Sequence, residues 1–438
     1  MLLLYKILTW LAVGLAPFYI LATLVRRPRD VREVAERFGV LSGELVETAR
    51  GGLWIQAASV GELQIARLLS RSISARHPDL PIVLSATTPT ARAVSSCPVP
   101  GTVGYFTFPL DLPPVAARIV RLLRPRLFIA VETEIWPNLY QSFHRRGIPV
   151  ALVNGRISDR SLEHKRWLRG PVAHALSAVA LVCARGAEDA ARFRRLGVPT
   201  TRVVNAGDIK FDRSQPQKEE IASDVLHLAR GHRVLVAGST YGNEEEVVLA
   251  GARRAGATEE DPLLVILAPR HREHLPEVEL LLERSGLPWI RRTSLSGGAA
   301  WSPGALQDGI RVLLLDTHGE MAALFAMADV AFLGGTLVPV GGHNPLEAAV
   351  AGVPQVAGPY LENVTEAVQV LSAAGALLVA ADGQTAARHL GHLLAEAQER
   401  HRRGNAAVDA LAAHRGALSR TLSLLDPLLQ NTAPGAPA

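Results

Sequence analysis

Short apolar runs alternate with amphipathic stretches along most of the chain. Runs of this kind predict strands of a parallel sheet that is covered by helices on both faces. In the first half of the chain they are Leu53–Ala57, Ile82–Ala86, Val103–Phe108, Leu127–Val131, Val150–Val153, Val179–Cys183 and Val203–Ala206. The helical patterns between them include Leu63–Arg76, Leu112–Leu123 and Asp189–Leu196. This alternation predicts an α/β domain.

The second half of the chain repeats the alternation. Its apolar runs are Val234–Ala237, Leu263–Leu267, Val312–Leu315 and Val330–Leu333, and helical patterns follow at Thr385–Arg403 and Ala406–Leu429. A polar stretch with a proline, Arg213–Glu220, separates the halves as a hinge would. We therefore predict an N-terminal membrane anchor at residues 1–27, a first domain at 28–213 and a second domain at 214–438. Leu418–Leu429 is the candidate for a last helix that crosses back to the first domain.

An uncharged apolar segment, Ile7–Val25, lies near the start of the chain and has about the length that a bilayer-spanning helix needs. The basic residues that follow it are Arg26, Arg27, Arg29 and Arg32. The positive-inside rule then places the remaining chain in the cytoplasm. A cleaved signal peptide is disfavoured by these arginines. A buried or interfacial helix docked on the protein is the other interpretation.

Composition and charge restrict the kinds of partner. The chain has 438 residues and a formal net charge of +5, and most of its cations are arginines. No basic-aromatic interleaving accompanies this charge, which argues against nucleic acid. Arginine suits phosphate and carboxylate, so anionic lipid or a phosphorylated small substrate fits better. Cys97 and Cys183 predict neither a disulfide framework nor a zinc site, and no acidic or histidine spacing suits another metal.

The densest candidate site follows the run Val330–Leu333. The glycines there are Gly334, Gly335, Gly341 and Gly342. Asn344 is then placed as the N-cap of a short helix, with Pro345 first and Glu347 third, so that Glu347 could reach back to the cap. Glycines ahead of such a helix let a ligand approach the backbone, whose free amides favour an anion. A capped helix without a ligand is the alternative.

Carboxylates follow two strands of the first half. Glu62 lies in the first turn of the helix after the first strand, where the helix dipole favours an anion. A catalytic base would lie at this carboxyl edge of a parallel sheet, whereas a simple helix-dipole device is the alternative. Glu132 and Glu134 follow the buried run Leu127–Val131, and acidic residues there are costly unless they are paired or functional. A helix start at Thr133 or Glu134 is the alternative for this pair.

Two cations also lie at predicted strand ends. Lys210 lies beside the hinge, and its compact ammonium suits a phosphate or a carboxylate. A salt bridge to Asp208 or Asp212 is the alternative. Arg270 follows Pro269 and could bind a phosphate through its guanidinium fork. Ordinary, isolated loop histidines are predicted at His271 and His343.

Five runs of the sequence, taken in order, resemble one family. They are Ser59–Glu62, Glu132–Asn138, Lys210–Asp212, Pro269–His271 and Gly341–Glu347. The family is that of the 3-deoxy-D-manno-octulosonic acid (Kdo) transferases of Gram-negative lipid A assembly. The resemblance implies a GT-B glycosyltransferase with two Rossmann-like domains that face a cleft, an acceptor domain followed by a CMP-Kdo donor domain. It also implies inverting, metal-independent transfer of Kdo from CMP-Kdo to lipid IVA at the cytoplasmic face of the inner membrane.

The resemblance further implies roles for single residues. Glu62 matches the general base, and Glu132 and Lys210 match residues that stabilise the transition state. The residues that match the CMP-binding segments are Pro269, Arg270, Gly319, Glu320, Met321, Asn344, Pro345, Leu346 and Glu347. No cofactor or metal is implied. The expected partners are CMP-Kdo, lipid IVA and inner-membrane lipid, without nucleic acid.

The sequence departs from the family in a few places, and Gln56 stands where members often carry histidine. Such departures bear on acceptor tuning rather than on the class of reaction. Two other functions stay open, namely a GT-B transferase or epimerase that uses a UDP-sugar, and a membrane-anchored sugar-nucleotide-binding protein without turnover. UDP binding without a response to CMP would favour the first, and an inert Glu62→Ala change would favour the second.

Overall fold

The structure is a computed structural model that describes residues 2–26, 31–87, 99, 101–157, 169–212, 221–295 and 309–430. The chain divides into two compact units, Met1–Asp212 with Arg415–Ala438, and Arg213–His414. The division after Asp212 lies within one residue of the predicted one. At the end of the predicted second domain, the segment from Arg415 groups with the first unit. The predicted hinge, Arg213–Glu220, lies outside the described residues.

The first unit is built on seven parallel strands in the order β3-β2-β1-β4-β5-β6-β7. They are β1 (Leu53–Ala57), β2 (Ile82–Ala86), β3 (Gly104–Thr107), β4 (Leu127–Val131), β5 (Val150–Gly155), β6 (Leu181–Ala184) and β7 (Val203–Asn205). Each predicted run of the first half is therefore confirmed as a strand. β1 pairs with β2 on one side and with β4 on the other, so the direction in which successive strands are added to the sheet reverses between β1 and β4. Ligands of open parallel sheets bind beside such a reversal.

Helices cover this sheet. They are Leu2–Arg26, Val31–Arg37, Gly43–Ala49, Val60–Arg76, Pro113–Leu123, Pro137–His144, Arg169–Ser177, Ala187–Arg195 and Ala417–Gln430, with the 3₁₀ helices Thr200–Arg202 and Ile209–Asp212. Pro113 occupies the first helical position of its helix, where the missing N–H has no cost. The helix predicted from Asp189 begins two residues earlier, at Ala187.

Alternate strand residues fill two cores, one on each face of the first sheet. On one face Trp54 packs edge-on against Phe128, with ring centroids 4.9 Å apart. On the other face the helix Ala417–Gln430 contributes Leu422 and Leu425 to the core. The prediction that the last helix returns to the first domain is therefore confirmed.

The second unit also has seven parallel strands, in the order β10-β11-β9-β8-β12-β13-β14. They are β8 (Arg233–Thr240), β9 (Leu263–Pro269), β10 (Trp289–Arg291), β11 (Ile310–Leu314), β12 (Val330–Leu333), β13 (Gln355–Ala357) and β14 (Leu377–Val379). The four predicted runs form its centre. β10, β13 and β14 have three residues each and were not predicted. Runs this short show no recognisable period.

The helices of the second unit correct one prediction. They are Ser223–Ala229, Glu244–Arg253, Leu275–Ser285, Arg292–Leu295, Met321–Phe325, Leu346–Val350, Thr365–Ala373, Gly383–Ala395 and Ala397–His414, with the 3₁₀ helix Arg272–His274. The segments predicted as Thr385–Arg403 and Ala406–Leu429 form three helices instead of two. The chain leaves the helical conformation at Glu396 and again at Gly416, whose φ of 95° favours glycine.

The N-terminal segment forms the helix Leu2–Arg26. The Tyr5 hydroxyl of this helix donates a hydrogen bond to Oδ2 of Asp111 at 2.7 Å. Its exposed large apolar side chains are Leu4, Ile7, Leu8, Trp10, Leu11 and Leu15. Over the part of the chain that the structure describes, no helix has both the length and the hydropathy needed to cross a membrane. The role of this helix as an anchor stays a prediction.

Candidate active site

Glu62 lies where β1 ends and the helix Val60–Arg76 begins. Ser59 is the N-cap of this helix, and its hydroxyl accepts a hydrogen bond from the Glu62 amide at 3.3 Å. The Glu62 carboxylate reaches back, so that Oε2 accepts from the Ala58 amide at 2.6 Å and Oε1 from the Ser59 hydroxyl at 3.0 Å. This reciprocal bonding is a form of capping box, and it fixes both oxygens of the carboxylate.

The surroundings of Glu62 favour its protonated form. Its pKa is raised to about 7, first by burial and then by the nearby carboxylates of Glu134 and Glu132, while the hydrogen bonds from Ala58 and Ser59 oppose the shift. A carboxylate with a pKa near 7 can gain and lose its proton at physiological pH, as a general base must. Capping a helix does not require such a pKa. The Glu62 side chain therefore has the properties that acid–base chemistry requires.

Glu132 and Lys210 form an ion pair at the carboxyl edge of the same sheet. Glu132 follows the last residue of β4 and has a φ of 59°, a conformation that non-glycine residues seldom adopt. The Lys210 ammonium donates to Oε1 of Glu132 at 2.6 Å. The side chains of Lys210 and Glu132 are 31% and 14% exposed. A pair held at this distance and depth is fixed in position rather than freely solvated.

The alternative salt bridge of Lys210 to Asp208 or Asp212 is wrong. Asp208 accepts a hydrogen bond from the Lys210 backbone amide at 2.9 Å. Asp212 accepts from the amides of Gly416 and Leu418, at 2.6 and 2.5 Å, and so holds the start of the last helix. The ammonium of Lys210, in the 3₁₀ helix Ile209–Asp212 after β7, pairs instead with Glu132, which follows β4.

The alternative helix start at Thr133 or Glu134 is also wrong, because the next helix begins at Pro137. Oε2 of Glu134 accepts hydrogen bonds from Nε2 of Gln56 at 2.9 Å and from Nε1 of Trp136 at 3.1 Å. Burial raises the pKa of Glu134, and these hydrogen bonds oppose that effect. Glu134 is therefore a second half-buried carboxylate near Glu62, with its own set of donors.

Gln56 has a role that the sequence analysis did not identify. Its side-chain oxygen accepts from the Ser85 hydroxyl, which itself accepts from Nε1 of Trp54 at 2.6 Å. Its amide nitrogen donates to Glu134 and to Oγ1 of Thr87, the latter at 2.8 Å. A buried chain of hydrogen bonds thus runs from Trp54 to Glu134. The available signal was a glutamine in an otherwise apolar strand, where a buried amide must find partners.

In the second unit a buried carboxylate organises the loop after β12. Glu244 is 1% exposed. Its Oε2 accepts from the amides of Tyr241 and Gly335, at 2.9 and 2.8 Å. Its Oε1 accepts from the amides of Thr336 and Leu337, at 2.9 and 2.8 Å. Three amides of this loop are therefore occupied by the chain's own carboxylate, at a residue that was not among the predicted site residues.

The prediction of isolated histidines at 271 and 343 is wrong. The His343 ring stacks on Tyr241 with centroids 5.6 Å apart and planes 4° apart, and His271 meets Tyr241 edge-on at 5.3 Å. The pKa of His343 is lowered to about 4, first by burial and then by Arg270 and His271. Nε2 of His343 is buried and has no hydrogen-bond partner among the described residues. His343 is thus a neutral ring held in a fixed stack.

The cap predicted at Asn344 is shifted by one residue. The helix Leu346–Val350 has Pro345 as its N-cap, so Pro345 is not its first helical residue. Oδ1 of Asn344 nevertheless accepts from the Leu346 amide at 3.1 Å, as an Asx turn does. Oε1 of Glu347 accepts from Nδ2 of Asn344 at 3.5 Å, so Glu347 reaches back to the side chain of Asn344.

The remaining predicted CMP-binding residues differ in how freely they could meet a ligand. Arg270 is exposed, and its amide donates to the carbonyl of Thr240 at 3.1 Å. Glu320 instead accepts from Nε of Arg292 at 2.9 Å and from the Thr317 hydroxyl. Arg292 also pairs with Asp224 at 3.0 Å. Glu320 therefore takes part in an internal ion-pair network.

Gly319 and Met321 flank Glu320 where the chain enters a short helix. Gly319 has a φ of 91°, and Met321 begins the helix Met321–Phe325. A Cβ placed on Gly238 of β8 would lie 2.8 Å from Cε of Met321. Met321 therefore packs closely against Gly238 of β8.

The structure brings the predicted residues to the carboxyl edges of two sheets. Glu62, Glu132 and Lys210 share the edge of the first sheet. The residues predicted to bind CMP follow β9, β11 and β12 in the second. In the described ranges, no group of three or more His, Cys, Asp or Glu side chains is arranged to hold a metal. The expectation that catalysis needs no metal stays a prediction.

Two parallel-sheet α/β units of this kind define a GT-B fold. The crystal structure of UDP-GlcNAc 2-epimerase from Neisseria meningitidis, bound to UDP-GlcNAc, has the same architecture. It aligns with a TM-score of 0.53 over 87% of this chain and 100% of that chain, at 11% sequence identity. This likeness shows the fold alone.

The particular family follows from sequence. The family described as 3-deoxy-D-manno-octulosonic-acid transferase (kdotransferase) matches residues 32–213. The Haemophilus influenzae 3-deoxy-D-manno-octulosonic acid transferase is 32% identical over 409 residues, which cover 93% of each chain. The Bordetella pertussis enzyme of the same name is 34% identical over 400 residues, covering 90% of this chain and 91% of that one. The chain therefore belongs to the Kdo transferases, a family of glycosyltransferases.

Proposed function

We propose that this protein transfers Kdo from CMP-Kdo to lipid IVA, with inversion at the anomeric carbon and without a metal ion. The observation that carries the proposal is the Glu62 carboxylate, fixed at both oxygens and with a pKa raised to about 7. In a single displacement, a base must take the proton of the attacking hydroxyl as the leaving group departs. Glu62 is that base in this proposal.

The neighbours of Glu62 support this role. At pH 7 about half of the molecules carry the ionised form of a group whose pKa is about 7, so the base is available. Glu134 and Glu132 place negative charge nearby. Because uptake of a proton relieves the repulsion among these carboxylates, they increase the basicity of Glu62.

Lys210 and Glu132 are proposed to stabilise the charge that develops in the transition state. An ammonium has three N–H donors, and the contact with Glu132 at 2.6 Å uses one of them. Glu132 thereby holds the cation in place before the reaction begins. A cation positioned in advance stabilises developing negative charge without a cost of reorganisation.

The second unit is proposed to bind the CMP part of the donor. The residues assigned to it are Pro269, Arg270, Gly319, Glu320, Met321, Asn344, Pro345, Leu346 and Glu347. Arg270 is exposed and suits the phosphate, whereas Glu320 would act by holding Arg292 and the local backbone. CMP leaves as a monophosphate, whose charge a guanidinium and backbone amides can carry.

The N-terminal helix is proposed to bind the inner membrane, with the catalytic units on its cytoplasmic face. The supporting observation is the row of exposed apolar side chains that includes Leu4, Leu8, Leu11 and Leu15, together with Trp10. An apolar helix face with an aromatic residue binds at the boundary between headgroups and acyl chains. Such a position would bring the protein to an acceptor that is itself a lipid.

The experiment that tests the function is a transfer assay with defined substrates. Purified protein would be incubated with CMP-Kdo and lipid IVA in EDTA, and the mass of the lipid product and the release of CMP would be followed. Lipid product that carries Kdo is the expected result, and its mass would count the Kdo residues added. An untouched donor, with UDP bound instead of CMP, would support the UDP-sugar alternative. Binding of CMP-Kdo without turnover would support the binding-protein alternative.

A further inference from the structure

Glu244 is tied to the His343–Glu347 segment by two separate routes. The first route runs through the loop after β12. The Gly335 amide donates to Glu244, and the Gly335 carbonyl accepts from the amide of Gly342 at 2.8 Å. Gly342 directly precedes His343, so two hydrogen bonds connect the buried carboxylate to the start of the segment.

The second route runs through Tyr241. Its amide donates to Oε2 of Glu244 at 2.9 Å, and its ring stacks on His343. A Cβ placed on Gly335 would lie 3.3 Å from the His343 ring and 3.4 Å from that of Tyr241, so this part of the loop lies close to both rings of the stack. Both routes therefore end at His343, directly before Asn344.

We propose that Glu244 is a positioning residue for donor binding, which sets the place of the His343 ring and of the Asn344–Glu347 segment through the loop amides and Tyr241. The inference rests on the proposed function, because that function assigns CMP to this segment. Glu244 itself touches no substrate in this account. Its carboxylate takes the place that an anionic ligand has in other glycine-rich loops.

The charge form of Glu244 matters for this role. A carboxylate offers acceptor positions for all four amides, each with an N–O distance of 2.9 Å or less. A glutamine would keep one oxygen and place an NH₂ group against two backbone N–H donors. Because donors facing donors cannot bond, two of the four contacts would be lost and the loop would move.

Glu245 provides a matched control for Glu244. It is the next residue of the same helix and is also 1% exposed. Its Oε1 accepts from the Thr240 hydroxyl, and its Oε2 has no hydrogen-bond partner among the described residues. Glu245→Gln therefore repeats the chemical change and the burial without disturbing the loop after β12.

The experiment compares Glu244→Gln and Glu245→Gln by two readouts. The pKa of His343 would be measured by NMR on ¹⁵N-histidine-labelled full-length protein, with His343→Asn to assign its signal. Affinity for CMP would be measured by calorimetry.

In Glu244→Gln we expect the pKa of His343 to rise from about 4 toward the ordinary value of about 6.5, because the ring becomes more exposed to solvent. CMP affinity should fall about tenfold or more, since two charge-assisted hydrogen bonds are lost. Glu245→Gln should change neither quantity.

Other outcomes decide against the inference. An unchanged His343 pKa in a folded Glu244→Gln protein would overturn it, as would equal changes in both variants. If Glu244→Gln does not fold, Tyr241→Leu keeps the backbone contacts of Glu244 and removes the ring. The pKa of His343 should then rise, and an unchanged value would overturn the inference. If the wild type binds no CMP, the proposed function fails, while the His343 pKa still decides whether Glu244 positions the segment.

Discussion

Glu62 and Glu244 occupy equivalent places in the two units. Each follows an interior strand of its sheet, β1 or β8, and each lies in the first turn of the next helix. Glu62 accepts hydrogen bonds from Ala58 and Ser59 in its own turn. Glu244 accepts from four backbone amides of two segments.

Burial alone therefore does not distinguish a carboxylate suited to proton transfer from one that holds the backbone in place. Burial raises the pKa of both residues. The carboxylates near Glu62 add to this effect, whereas the amides around Glu244 oppose it. A carboxylate with few donors and negative neighbours can exchange a proton, while one surrounded by amides holds backbone in place.

The largest effect is expected at Glu62. Glu62→Gln should lower the rate of Kdo transfer about 10³-fold, because a general base is lost.

The stability of the same variant provides the control. The pKa of Glu62 is about 7 in the folded state and lower in the unfolded state, so the folded protein binds this proton more tightly. The free energy of unfolding therefore falls as pH rises toward 7. The melting temperature of Glu62→Gln at pH 8 should therefore equal or exceed that of the wild type. A large fall in melting temperature would instead indicate a structural residue, as expected for Glu244.

The second effect concerns the ion pair. Lys210→Met should lower the turnover rate about 10²-fold, since a positioned cation is lost from the transition state. Glu132→Gln should also lower the turnover rate, because the Lys210 ammonium is then no longer held in position. The double variant should lose less than the product of the two single effects, because the residues act together. Steady-state rates of CMP release with lipid IVA would measure all three, and strict additivity would contradict a joint role.

The third effect separates two arginines of the second unit. Arg270→Ala should weaken CMP binding about tenfold and leave the melting temperature unchanged, because Arg270 is exposed. Arg292→Ala should instead lower the free energy of unfolding by about 2 kcal/mol, because its buried guanidinium loses charge-assisted hydrogen bonds to the half-buried carboxylates of Glu320 and Asp224. Calorimetry with CMP and chemical denaturation would measure both. Loss of stability in Arg270→Ala with intact CMP binding would reverse the assignment.

The smallest effect concerns the charge of Glu134. Glu134→Gln removes a negative neighbour that raises the pKa of Glu62, so that pKa should fall. The acidic limb of the pH profile of kcat/KM should then move to lower pH, with little change in the plateau. A limb that stays in place would show that Glu134 does not influence the base.

Continuous apolar runs were enough to predict the centres of both sheets, because central parallel strands are buried on both faces. Outer strands such as β13 have only three residues and give no such pattern. The candidate carboxylates Glu62 and Glu132 were chosen from their places after strand ends, and their catalytic roles stay predictions. The partners of Glu244 and Gln56 could not be predicted, because the contacts join segments distant in sequence. Glu244 bonds to residues more than 90 positions away, and Gln56 to Glu134, 78 positions away.

The pH dependence of kcat/KM for Kdo transfer by the wild-type protein tests the central claim most directly. The assay would contain CMP-Kdo and lipid IVA in EDTA. In this proposal the reaction needs the ionised form of Glu62, whose fraction increases with pH. The account predicts that kcat/KM rises with pH through an apparent pKa of about 7, the value that the site gives Glu62. A profile that is already flat from pH 5 upward, near the ordinary range of a glutamate, would contradict the assignment of Glu62 as the base.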